Sequence, residues 1–114
     1  MTTREKRKHY RIESLNLLNY LCLDDDENVV SQAMGRTLNV SESGILLETH
    51  VPMDAQQIVS LTIGLEDELI DVRGKVVHCK PGPSGKFESG ILFLQMQEAV
   101  LPILKKYIQA VKKQ

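Results

Sequence analysis

Two arginines near the start of the chain have a spacing that suits an anionic ligand. Residues 7–11 read RKHYR, which places Arg7 and Arg11 four positions apart. A guanidinium is a permanently charged planar fork that binds phosphate or the O6/N7 edge of guanine through two parallel hydrogen bonds, and it also stacks on a purine face. RxxxR is a weak signal by itself, because basic segments contain it by chance. It gains meaning only with a second motif.

The second motif is NVSESG at residues 39–44, between two apolar segments. One interpretation is structural: Asn and Ser favour turns, and Gly44 supplies a backbone conformation that other residues resist. The other interpretation uses the same groups for binding. The Asn39 amide offers a donor and an acceptor to a base edge, the Ser41 hydroxyl adds a hydrogen bond, and Gly44 lets a ligand approach the backbone.

Charge is distributed unevenly along the 114 residues. The net charge is −1, yet residues 1–11 and the last ten residues each carry a net +4, which leaves −9 on the rest. A basic tail on an acidic body indicates a local anion site rather than a surface that coats DNA, although charged termini also serve solubility alone.

Short apolar segments separated by turn residues must position these motifs. Apolar and polar residues alternate in them, as at 58–64, which is typical of half-buried strands. Gly35 interrupts the second segment and suggests a bulge there. The pattern predicts an all-β fold, either a sandwich or a six-stranded antiparallel (split) barrel, and closure is favoured because it removes unpaired edges. The predicted strands are 17–23, 29–40, 44–50, 58–64, 69–79 and 86–95.

The last segment changes its period. Apolar residues recur at three- and four-residue steps over 98–113, which predicts a helix whose regular part begins near 100, because Pro102 is tolerated only at a helix start. We expect this helix to pack on the barrel or cover its open end; a dimer contact is the alternative. The chain is therefore expected to be a single domain over 1–114, with a flexible basic arm at 1–11, a barrel over 16–96 and the helix at 98–113.

Other chemistry has little support in the residues. Cys22 and Cys79 are isolated, and the three histidines lack neighbours at ligand spacing, so we expect no metal and no cofactor. No serine sits in a GxSxG elbow and no nucleophile–base pair can be assembled, so we expect no enzyme. The acidic run at 24–28 is predicted to be a hairpin turn. No apolar stretch suits a membrane span or a secretion signal, which predicts a cytoplasmic protein.

The two motifs together, in this order and on this pattern of strands, resemble the PilZ domain, a bacterial receptor domain for cyclic diguanylate (c-di-GMP). That family pairs RxxxR before the first strand with (D/N)xSxxG on the barrel. RGKVVHC at 73–79 resembles its penultimate strand, and ESGILFL at 88–94 resembles its closing segment through Gly90 and Phe93.

The resemblance implies a ligand-binding role for each motif residue. Arg7 and Arg11 would hold phosphate and guanine, Asn39 a guanine edge and Ser41 a polar ligand atom, while Gly44 would allow close approach. Lys6 and Lys8 would support the site with charge.

The resemblance also implies a mode of signalling. Residues 1–11 would be mobile without ligand and fold over the barrel when c-di-GMP binds, which would change contacts with a downstream protein effector in motility or biofilm regulation. One or two c-di-GMP molecules per chain are both compatible with the motifs. We expect a monomer. A protein-interaction module of the same fold without ligand is the main alternative; a binder of nucleic-acid polymers is disfavoured by the acidic body and the few aromatic residues.

Overall fold

Antiparallel strands form most of the structure, a computed structural model that describes residues 17–65, 68–94 and 96–113. Each strand begins and ends close to a turn signal in the sequence. A short 3-10 turn, Pro83–Gly85, joins the last two strands. The elements are β1 (Leu17–Leu23), β2 (Val29–Val40), β3 (Gly44–Thr49), β4 (Ile58–Leu65), β5 (Glu68–Pro81), β6 (Phe87–Phe93) and the helix α1 (Leu101–Lys112).

The six strands close into a barrel in the order β1-β2-β3-β6-β5-β4. Every neighbouring pair is antiparallel. The first and fourth strands complete the ring, with Asn19 opposite Thr62 and Leu23 opposite Ile58. The expected antiparallel barrel is therefore confirmed, and the sandwich is not formed.

The barrel interior contains the residues that the alternation assigned to one face. Val59, Leu61 and Ile63 of β4 are fully buried. Val72 and Val76 of β5 are buried in the same way. Burying an aliphatic side chain of this size contributes about 1.5–3 kcal/mol, so these alternating positions hold the two strands in register.

The acidic segment at 24–28 is a hairpin turn, as predicted. The Asp24 carboxylate accepts hydrogen bonds from the backbone N–H groups of Asp26, at 2.9 Å, and Asn28, at 2.8 Å. Glu27 has a positive φ of 66° that completes the reversal. The acids at this turn thus have a local structural use.

The bulge expected at Gly35 is not there. Gly35 pairs regularly with Leu18. The bulges of β2 are instead at Val30, which has no partner in β1, and at Leu38, which has no partner in β3. A Cβ on Gly35 would lie 2.8 Å from Cγ of Leu47, so the glycine makes room for a core side chain. Gly35 is therefore required by close packing. In the sequence alone, a glycine needed for packing cannot be distinguished from a glycine at a bulge.

The helix α1 packs on the barrel through Leu104, Tyr107 and Ile108, all buried. The Tyr107 hydroxyl and the Thr37 hydroxyl of β2 are 2.9 Å apart and hydrogen-bonded. Burial raises the pKa of Tyr107, and the hydrogen bond to Thr37 opposes that rise in part. The helix is therefore held to the strand that carries Asn39, as the predicted packing on the barrel requires.

Candidate ligand-binding groove

The NVSESG motif forms the junction between β2 and β3. Its serines shape a tight turn: the Ser41 and Ser43 hydroxyls lie 3.0 Å apart, and the Ser43 N–H donates to the Ser41 hydroxyl at 3.3 Å. The Ser41 N–H donates to the Gly44 carbonyl at 2.9 Å. The part of the structural interpretation that concerns the serines is therefore correct. Ser41 is nevertheless exposed, so its hydroxyl can also hydrogen-bond a ligand.

Asn39 faces outward because of a bulge in β2. Thr37 pairs with Leu47 and Asn39 with Leu46, so Leu38 is an extra residue without an opposite partner. Strict alternation from the buried Thr37 would turn Asn39 inward, but the bulge leaves both Leu38 and Asn39 exposed and returns Val40 to the core. The side-chain amide of Asn39 makes no hydrogen bond within the described residues and is available on the surface.

Gly44 is needed for a close approach between strands. Its φ is not positive, since Gly85 is the one described glycine in the left-handed region, so the conformational reason expected for Gly44 is wrong. A Cβ on Gly44 would collide with the carbonyl oxygen of Ile91 in β6. The glycine therefore lets β3 and β6 pair at this end of the barrel.

His78 and Val77 extend the site onto β5. Val76 pairs with Ile91 and His78 with Gly90, which makes Val77 another bulged residue. Both Val77 and His78 are consequently exposed. The imidazole of His78 lies over Gly90, in the space that a Cβ would occupy. Sequence reasoning assigned no role to His78, and no sequence signal marks it, because its position depends on the Val77 bulge.

These elements surround one open groove of about 270 Å³. Its described lining carries no Lys, Arg, Asp or Glu, so it offers hydrogen bonds and apolar contact without a charge of its own. Val77 and Leu92, each 47% exposed, supply the apolar surface. The lining residues are Asn39, Val40, Ser41, Ser43, Gly44, Ile45, Leu46, Val77, His78, Gly90, Ile91 and Leu92. Asn39, Ser41 and Gly44 are thus brought together as the motif predicts.

The basic residues predicted for the site, Lys6, Arg7, Lys8 and Arg11, lie outside the described residues. The structure does locate the point where the chain enters the barrel. Leu17, the first residue of β1, is opposite Arg36 of β2. Arg36 precedes Asn39 by three residues, roughly 10 Å along a strand. The chain therefore enters the barrel close to the groove.

The described residues show no competing site of two other kinds. No three His, Cys, Asp or Glu side chains among them are grouped so that they could hold a metal ion. None of the helices in this part of the chain is long and apolar enough to cross a membrane.

A comparison of the chain with protein-family models agrees with this architecture. The PilZ domain family model matches residues 5–110, which is nearly the whole chain and includes both motifs. No curated protein matches the chain. PilZ domains are generally c-di-GMP-binding domains, a binding rather than a catalytic family. With a closed six-stranded barrel, a C-terminal helix and a match of this extent, the chain belongs to the PilZ domain family.

Proposed function

We propose that this protein is a cytoplasmic receptor for c-di-GMP that binds the dinucleotide between the groove and the basic segment before β1. In this proposal Asn39 binds a guanine edge, Ser41 hydrogen-bonds the ligand, and Gly44 allows the ligand to approach the backbone closely. Arg7 and Arg11 hold phosphate and guanine, with Lys6 and Lys8 adding positive charge. The His78 imidazole adds a planar surface on which a base can stack.

The observation that carries the proposal is the lack of charge in a groove that has hydrogen-bonding groups. Two phosphodiesters make c-di-GMP a dianion, and burying a charge without a partner is costly. The described lining of the groove contains no Lys or Arg, so in this proposal Arg7 and Arg11 supply the compensating charge. Arg11 precedes Leu17 by six residues, a span of up to roughly 20 Å when extended, and Asn39 lies within that range of the entry point.

The separation of charge and groove suggests how binding becomes a signal. The ligand would draw residues 1–11 onto the barrel, since the arginines and the groove each supply part of the site. The arm would then present a new surface to a downstream protein effector, with motility or biofilm formation as the regulated process. Hydrogen exchange that leaves residues 4–12 equally exposed with and without saturating c-di-GMP would contradict this mechanism.

The first test is calorimetric titration of c-di-GMP into the wild-type protein and two single variants. Arg11→Ala removes a motif arginine, and Arg4→Ala removes the same charge from the same segment outside the motif. Losing a charge-assisted hydrogen bond costs about 1.5–3 kcal/mol, or about ten- to over a hundredfold in affinity. We expect that loss in Arg11→Ala and a small change in Arg4→Ala.

Other outcomes would reject the proposal. No heat in the wild-type protein would favour the alternative, a protein-interaction module of the same fold without ligand. Equal losses in Arg4→Ala and Arg11→Ala would reduce the motif to unspecific attraction. The same titration gives the number of c-di-GMP molecules bound per chain.

A further inference from the structure

The first half of β2 has an open edge on the side away from β1. β3 pairs with β2 only from Arg36 to Val40. From Val29 to Met34, β2 pairs with β1 on one side, and no described strand lies on the other. Alternate residues of an antiparallel strand direct their N–H and C=O groups to the same side, so this edge, residues 29–34, presents a row of backbone groups to solvent.

The sequence of this open edge does not protect it against pairing with another strand. Residues 29–34 read VVSQAM and contain no charge and no proline, the usual devices against edge-to-edge pairing. All six are exposed, with Val30 at 60% and Met34 at 51%. The bulge at Val30 interrupts one end, and the stretch from Ser31 to Met34 remains regular. Apolar side chains on an unpaired strand favour the addition of another strand.

A pocket lies where β2 and β3 diverge, at the end of the open edge. It has a volume of about 360 Å³, and we call it the fork pocket. Arg36, Lys86 and His50 line it, with one acid, Glu48, whose carboxylate is 3.8 Å from the Lys86 ammonium group. Arg36 makes no ion pair within the described residues. The fork pocket is therefore basic on balance.

The opposite end of the open edge is acidic. Residues 24–27, which we call the acidic turn, read DDDE and are separated from the open edge only by Asn28. Glu27 pairs with Arg73, and Asp24 accepts the hydrogen bonds of the turn. Asp25 and Asp26 are exposed, and no described cation pairs with them. One edge thus has carboxylates at its start and guanidinium and ammonium groups at its end.

We propose that a second copy of this chain pairs along the open edge, strand against strand, about a two-fold axis. Antiparallel pairing of two copies brings the start of one edge to the end of the other. Each acidic turn then approaches the fork pocket of the other copy. The same arrangement therefore brings opposite charges together and lets the two rows of backbone groups hydrogen-bond to each other. The monomer expected from the sequence would then be the dissociated form.

The test is sedimentation equilibrium of the full chain over a range of concentrations, with hydrogen exchange of residues 30–34 on the same samples. In this dimer Gln32 lies near the two-fold axis, close to Gln32 of the second copy. Gln32→Lys therefore places two like charges close together across the interface. We expect it to weaken the dimer by up to about fivefold. The control Gln109→Lys adds the same charge to the exposed face of α1 and should change nothing. Thermal melting verifies that both variants are folded.

Charge reversal distinguishes a second copy from any other partner. Asp25→Lys with Asp26→Lys should weaken the dimer, and so should Arg36→Glu. The three changes in one chain restore opposite charges across the axis and should recover the affinity. We also expect the amides at 30–34 that point away from β1 to become protected as concentration rises.

Three results would overturn the proposal. The first is a monomer at every concentration. The second is a dimer that Gln32→Lys and Gln109→Lys weaken equally, or that the combined charge reversal fails to restore. The third is protection of residues 30–34 in a species that sediments as a monomer, which would mean that the chain's own residues outside the described part cover the edge.

Discussion

Replacing Gly44 by alanine should destabilise the folded barrel before any effect on ligand binding is considered. The new methyl group would collide with the Ile91 carbonyl oxygen. That oxygen belongs to the paired backbone of β6, so it can move only if the strands separate. Overpacking of this kind costs about 1–3 kcal/mol.

The neighbouring Gly90→Ala is a matched control for this prediction. Both glycines lie in the β3–β6 pair, and both substitutions gain the same entropy by restricting the unfolded chain, about 0.4–1 kcal/mol. At Gly90, however, the three nearest atoms all belong to the His78 ring, an exposed side chain that can rotate into solvent. We therefore expect Gly90→Ala to keep nearly the wild-type stability.

The assay is thermal unfolding of the free proteins, followed by circular dichroism. For a chain of this size each kcal/mol shifts Tm by about 4 °C, so Gly44→Ala should melt roughly 4–12 °C below Gly90→Ala. Equal Tm values for Gly44→Ala and Gly90→Ala would refute the reasoning, because the two differ in whether backbone or side chain blocks the methyl group. Binding should be compared only well below both transitions.

Three further predictions concern Asn39 and the contact between helix and barrel. Asn39→Ala should leave the urea midpoint of unfolding unchanged, because the exposed Asn39 amide makes no hydrogen bond within the described residues. Calorimetry should show that the variant binds c-di-GMP at least tenfold more weakly. A lowered urea midpoint would contradict the prediction that Asn39 has no part in stability. Tyr107→Phe should cost about 1–3 kcal/mol of unfolding free energy, because the buried Thr37 hydroxyl loses its 2.9 Å partner, and adding Thr37→Val should restore part of that loss in a double-mutant cycle. Burial raises the pKa of Tyr107 above its ordinary value of 10.0. The stabilising contribution of Tyr107 is therefore complete below pH 10 and is lost as pH rises through the higher pKa of the folded state. The free energy of unfolding should fall above pH 10 in the wild type and less steeply in Tyr107→Phe.

The sequence by itself determined the strands, the helix and the hairpin turn. The predicted strand 17–23 matches β1, and 29–40 matches β2. Such elements depend on alternation, helical period and turn residues, which are local properties of the chain. The regular helix, predicted to begin near residue 100, begins at Leu101. The motif residues Asn39, Ser41 and Gly44 were also identified from sequence, and the groove contains all three.

Only the tertiary structure decided which way the side chains of the groove point. The bulges at Leu38 and Val77 turn Asn39 and His78 outward, and a bulge is defined by pairing between strands rather than by its own residues. Gly44 is required by the carbonyl of Ile91, which is distant in sequence and close only in the closed barrel. The open edge of β2 follows from the short reach of β3, so no single segment reveals it. These features arise from contacts between distant segments, and for that reason periodicity and turn chemistry could not predict them.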